Sequence, residues 1–220
     1  MNRKELNELA KRICESEVPT HFEPDESRLL IQVWRLVAQG QPVAEERIEQ
    51  IASKLNLSTE AAFSFIFRLS ERDEHGNIVG IFGLSQKNHP HKFIVDSKTF
   101  ATWCAWDALF LPSMLKQTAE IESTCPATKE TIRVTLTPGR VERIEPDKAI
   151  LSFILPQPTK DGLDSVEAVR RAFCCHVHFF RSTEAATDWF SGKEEEIALL
   201  TVKEGYQLGQ LTFKEILQFV

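Results

Sequence analysis

Two short stretches carry soft and acidic side chains at spacings that could do chemistry. Residues 170–180 read RRAFCCHVHFF, with Cys174 and Cys175 adjacent and His176 and His178 on alternate positions. Residues 103–110 read WCAWDALF, with Cys104 and Asp107 three apart. If 173–180 is an extended strand, alternate residues face opposite sides. Phe173, Cys175, Val177 and Phe179 then form an apolar face that predicts core. Cys174, His176, His178 and Phe180 form the face of a site, so Cys174 is the candidate for chemistry and Cys175 is expected to pack. If 98–115 is a helix, Cys104 and Asp107 are neighbours with Cβ atoms ~5–6 Å apart. Phe100, Trp103, Trp106, Leu109 and Phe110 make the setting apolar, and burial raises the pKa of a thiol and of a carboxyl alike. An Asp protonated near neutral pH can act as a general acid. Taken alone, Cys-x-x-Asp reads first as a cysteine packed as a small hydrophobe beside a structural carboxyl.

A metal reading uses the same residues. Cys104, Asp107, Cys174 and His176 or His178 could hold zinc, but their spacing matches no zinc-finger pattern. Two thiols and one carboxyl suit a softer ion that takes few ligands. Cys125, before Pro126 between two strand candidates, reads as structural, and Cys14 as incidental.

The elements that must position these groups follow from periodicity. The first third predicts helices over Asn2 to Glu17, Asp25 to Gln39, a stretch started by Pro42, and Thr59 to Ser70 capped by Ser58. IVGIFGLS and HKFIVD then predict a hairpin. Three helices followed by a hairpin is the order of a winged helix. Beyond it come a helix from Lys98 to Leu115 bent or ended by Pro112, and strands over Thr118 to Ser123, Thr131 to Thr137 and Ala149 to Leu155. A loop from Pro156 to Asp164, a helix from Ser165 to Ala172, a helix over Thr183 to Phe190, a strand over Ile197 to Val202 and a last helix over Thr212 to Phe219 complete the reading.

The composition is ordinary for a globular chain of 220 residues, 42% hydrophobic and 26% charged. A net charge of −6 argues against a protein that mainly holds phosphate backbones. The stretch Ser58 to Glu74, the DNA-reading helix of a winged helix, is apolar on nearly every side and net acidic, so it predicts a scaffold helix and no nucleic-acid partner. The N-terminus has no apolar leader and no run nears the ~20 residues of a membrane span. Five cysteines, an odd number, predict free thiols in the cytoplasm rather than a disulfide framework.

WCAWDALFLP, the TCPAT segment around Cys125, FCCHVHFF, the following DWF and the late LGQ occur in this order and at these intervals in the organomercurial (alkylmercury) lyases, the MerB family, which this chain resembles over about Leu29 to Ile216. GQPV and DEHGNIVG resemble the same family upstream. The resemblance implies protonolysis of a carbon–mercury bond to a hydrocarbon and Hg(II), without a cofactor. It implies that Cys104 and Cys174 bind mercury and that Asp107 delivers the proton. It implies an α+β fold, with an N-terminal helix over 1–24, a winged-helix-like scaffold over 25–96 and a mixed-sheet catalytic domain over 97–220. The implied partners are an organomercurial substrate, small thiols and a mercuric reductase that receives the Hg(II). Trp106 departs from the family, which carries an aliphatic residue there, and is expected to reshape the pocket. Phe100 stands where some members have Tyr. The alternatives are a non-catalytic carrier of Cu, Zn or Hg, and a metal-responsive DNA regulator.

Overall fold

The computed structural model describes residues 1–16, 18–154, 163, 165–192 and 197–220. Four helices open the chain: α1 (Arg3–Cys14), α2 (Pro24–Val37), α3 (Glu45–Lys54) and α4 (Thr59–Leu69). Each starts where local chemistry favours it. Asn2 and Glu5 form a capping box on α1, Pro24 occupies the first turn of α2, and the Ser58 side chain accepts from the Ala61 N–H on α4. Gly40, at φ 83°, turns the chain after α2. The indole N–H of Trp34 on α2 donates to the carbonyls of Ile81 and Phe82, at 3.0 and 3.2 Å, tying this helix to the next elements.

Five strands follow: β1 (Ser70–Arg72), β2 (Ile78–Ile81), β3 (Leu84–Ser85), β4 (His91–Val95) and β5 (Lys98–Thr102). Phe82 and Gly83 between β2 and β3, and Asp96 and Ser97 between β4 and β5, all have positive φ. That is the two-residue turn whose twist matches antiparallel strands. Next come α5 (Asp107–Leu115), β6 (Ala119–Thr124), β7 (Thr131–Thr137), β8 (Arg140–Glu145) and β9 (Ile150–Ile154). The chain ends with α6 (Val166–Ala172), β10 (Phe179–Phe180), α7 (Thr183–Phe190), β11 (Ile197–Thr201) and α8 (Val202–Thr212), with 3-10 turns at Cys174–His176 and Ile216–Phe219.

The fold is α+β. One sheet runs β1-β2-β3-β5-β4-β6-β7-β8, and a second runs β10-β9-β11. Every described pairing is antiparallel, so the mixed sheet expected from the sequence is corrected. Most neighbours in the large sheet are joined by short turns, which connect antiparallel strands only. Among the described residues, no helix is long and apolar enough to cross a membrane.

Two further expectations change. The helix predicted over 98–115 is a strand, a turn and a shorter helix. Thr99, Phe100 and Thr102 suit a strand and pair with Ile94, Phe93 and His91 of β4. The apolar run after them hid the change of period. Pro112 lies inside α5 and does not end it. The last helix lies at Val202–Thr212, ahead of its expected place. Gly205 and Gly209 depress helix propensity there, but tertiary packing requires them. A Cβ on Gly205 would stand 2.9 Å from Leu109 Cδ1, and one on Gly209 2.9 Å from Phe110 Cβ. The loop expected over Pro156 to Asp164 lies, Leu163 apart, outside the described residues.

All residues of α5 are buried, as expected of a helix that is apolar all round. It packs on α2, α8, β3 and β7. This places its first residue, Asp107, at a fixed point in the core.

Candidate active site

The site is assembled from three turns. The first is the segment 103–106 between β5 and α5. Its backbone is held by Trp103 N–H to Gly83 O (3.1 Å) and by Thr102 Oγ1 to Cys104 O (2.8 Å). The second is the β2–β3 turn, which lies directly against Asp107. A Cβ on Gly83 would stand 2.8 Å from Asp107 Cγ, and the residue has φ 94°, so both space and backbone demand glycine. The third is the 3-10 turn Cys174–His176 at the end of α6, joined to the first by Ala105 N–H to Val177 O at 3.2 Å.

Together they place Cys104, Asp107 and Cys174 in one cluster, with their sulfur and carboxylate atoms all within 4.8 Å of one another. All three are buried, at 0%, 7% and 4% exposure. Asp107 does not sit a helical turn beyond Cys104, as the sequence suggested. It begins α5, and its Oδ2 accepts the Cys104 N–H at 2.8 Å across the entering turn. The i, i+3 proximity survives because a helix-entering turn also folds its fourth residue back on its first.

Electrostatics load the cluster with protons. Burial pushes the Asp107 carboxyl up to about 6, against the Cys104 thiol and N–H and the charges of His89 and Arg170, which pull it down. Burial also pushes Cys104 well above the ordinary thiol range, helped by its hydrogen bond with Cys174 and the Asp107 charge. For Cys174, the Cys104 thiol pulls the pKa down, but burial and the charges of Asp107 and Cys175 outweigh it, and the net shift is upward. Two neutral thiols beside a carboxyl that titrates near neutrality can exchange two protons for a soft cation and still hold a proton within reach of it.

The strand reading of 173–180 is corrected. Only Phe179 and Phe180 of this stretch form a strand, pairing with Leu151 and Ile150. Cys174 reaches the cluster from a 3-10 turn, and Cys175, expected in the core, is exposed. Three residues per turn, not two, separate the pair. The histidines stand outside the cluster of candidate ligands found among the described residues. Trp106, expected to reshape the pocket, is core. Its indole N–H donates to Gly205 O at 3.0 Å, and its ring packs on Phe110, Phe153, Phe173 and Phe213.

Sequence reasoning missed Glu71, His89 and Arg170. Glu71 accepts from His89 Nε2 at 3.0 Å and from the Ser85 hydroxyl, and Arg170 Nη1 lies 3.7 Å from it. No motif marks these residues. Gly83 was findable, since a glycine between two short apolar strands signals a backbone position that needs positive φ.

Residues 84–214 match the family model of the alkylmercury lyases. The alkylmercury lyase of Staphylococcus epidermidis is 36% identical over 178 residues, covering 80% of this chain and 77% of that one. That of Pseudomonas putida is 32% identical over 211 residues, covering 95% and 94%. That of Streptomyces lividans is 37% identical over 183 residues, covering 81% and 80%. The solved mercury-bound form of MerB2 shares the fold, with a TM-score of 0.74 at 20% identity over 97% of this chain and 100% of that one.

Proposed function

The chain belongs to the alkylmercury lyase family, and from that premise we propose that it cleaves carbon–mercury bonds with Cys104 and Cys174 as the mercury-binding sulfurs and Asp107 as the proton donor. The observation that carries this reading is the cluster itself, two thiols and a carboxyl within 4.8 Å of one another in a buried setting.

The organomercurial arrives as R–Hg–SR′. Mercury is soft and prefers sulfur to carboxylate or imidazole. Cys174 replaces R′S on mercury, and its proton leaves with R′SH. Cys104 then binds as the second sulfur and gives its proton to the Asp107 carboxylate, which lies within 4.8 Å of its sulfur. Two sulfurs push electron density through mercury onto carbon, and the carbon becomes basic. Asp107 protonates it, the C–Hg bond breaks, and RH departs. Hg(II) stays on Cys104 and Cys174, and Asp107 is a carboxylate again. Holding the three groups in one pocket makes the steps intramolecular, which can lower the barrier by roughly 7–11 kcal/mol.

The same proposal extends to the setting. The cytoplasm keeps these cysteines reduced. Small thiols and a mercuric reductase take the product, and no cofactor takes part. Helices α2 to α4 with the β1–β3 strands serve as a winged-helix-like scaffold over 25–96, after the N-terminal helix over 1–24. They brace the catalytic part over 97–220, whose site they complete with Gly83. Incubation with phenylmercury tests the reading: benzene accumulates as a lyase requires, whereas stoichiometric mercury binding without benzene would leave the soft-metal carrier. Asp107 favours the enzyme, since a carrier needs no acid.

A further inference from the structure

A pocket of about 520 Å³ opens beside the site. Arg68 and Arg72 line it from the end of α4 and from β1, Lys87 and His89 from the segment after β3, and Arg170 from α6. Its acidic residues are Glu71 and Glu167. Glu71 is already engaged by His89 and Arg170. Among the described lining residues, three exposed cations, Arg68, Arg72 and Lys87, are therefore set against Glu167. Two features hold the cations in place: Arg72 stacks on Phe67 at 4.6 Å, and Lys87 Nζ donates to Arg72 O at 2.8 Å. Arg170 Nε is buried with no hydrogen-bond partner, a donor left at the floor of the pocket.

Arg170 and His89 of the lining connect this pocket to the catalytic cluster. The charge of Arg170 acts on both Asp107 and Cys174, and that of His89 on Asp107. Arg170 also precedes Cys174 by one turn of chain at the end of α6. A pocket of this volume holds a small molecule of several tens of atoms. What reaches a buried mercury here must bring a thiol to the cluster while its remainder stays in a cationic vestibule.

We propose that this pocket is the exchange port of the enzyme and that it selects thiols carrying carboxylates. The proposal rests on the lyase reading of the cluster and names the class of thiol that takes the product. Two thiols are consumed per mercury. In each exchange the incoming sulfur bonds to Hg(II), one Cys–Hg bond breaks, and the electron pair stays with the cysteine sulfur, which takes the proton of the incoming thiol. The product is RS–Hg–SR with Cys104 and Cys174 restored as thiols, and no oxidation state changes. Arg68, Arg72 and Lys87 draw the carboxylates in, and charged walls of this kind raise encounter rates by roughly 10–10³-fold.

The test loads the whole protein with HgCl2, so that no carbon–mercury bond is involved, and follows extraction of Hg(II) by mercaptosuccinate and by 2-mercaptoethanol. Each rate is normalised to thiolate concentration. Wild-type protein should favour the dianionic thiol, and the preference should shrink with added salt. Substituting Arg68→Gln, Arg72→Gln and Lys87→Gln together should lower the mercaptosuccinate rate about tenfold and leave the 2-mercaptoethanol rate unchanged. Equal wild-type rates for the two thiols, or a preference that survives the triple substitution, would overturn the port. Failure of the lyase reading shows elsewhere, as absence of benzene from phenylmercury.

Discussion

Cys104 and Cys125 each lie fully buried in a turn next to a strand of the large sheet, yet the two turns treat sulfur in opposite ways. Around Cys125, burial alone would raise the thiol pKa. It is outweighed by the Thr128 hydroxyl and by backbone N–H groups of Thr128, Ala127 and Arg181, and the net shift is downward. The turn is closed by Cys125 N–H to Glu130 O and Lys129 N–H to Cys125 O, both 2.9 Å. Around Cys104 the partners are a second thiol and a carboxyl, and the shift is strongly upward. Both sulfurs are shielded from solvent, but Cys104 lies deeper and lacks those donors, and the two differences together set the opposite shifts. Cys125 has partners that stabilise sulfur where it is. Cys104 is held as a neutral thiol, with a carboxyl and a second thiol alongside.

The sharpest way to break this contrast is to delete each sulfur. Cys104→Ala and Cys174→Ala should abolish hydrocarbon release while the proteins stay folded. Cys125→Ala should do the reverse, keeping benzene release per folded molecule and losing about 1–3 kcal/mol of stability, read from urea unfolding. An inactive but fully stable Cys125→Ala protein would erase the distinction between the turns.

A smaller effect concerns the cost of the acid. The folded pKa of Asp107, about 6, lies above its ordinary 3.8. Its contribution to stability is thus complete below 3.8 and lost as pH rises through 6. Asp107→Asn should be more stable than wild type at pH 7, by up to about 3 kcal/mol, and the advantage should vanish as pH falls towards 4. Thermal melts of both proteins across that range would show it, and an advantage that grows on acidification would reverse the assigned sign. Smallest of all is Cys175→Ala. This exposed thiol lies outside the cluster, so turnover should change by no more than about twofold, as for other surface substitutions.

Much of this was readable from residue types. Asp107 and Cys174 were singled out by spacing and by their neighbours, and the helices α2, α4 and α7 by capping residues and periodicity. Strand alternation predicts Cys174 on the site face, and the backbone there is a 3-10 turn. Cys174 lies in the cluster despite the different period, whereas Cys175 is exposed and not packed in the core. Strand β5 and the place of α8 were hidden because tertiary packing overrode local preference. The pairing of Glu71 with His89 and Arg170 joins residues distant in sequence and unremarkable in type, so only the fold reveals it.

The central claim is that two sulfurs hold mercury and Asp107 alone supplies the proton. Asp107→Asn protein mixed with one equivalent of phenylmercury tests it directly, with intact mass reporting the adduct and gas chromatography the benzene. The adduct should form and persist, with benzene released roughly 10²–10⁴-fold more slowly than by wild type, the range for loss of a general acid. Benzene released at the wild-type rate would remove Asp107 from the chemistry.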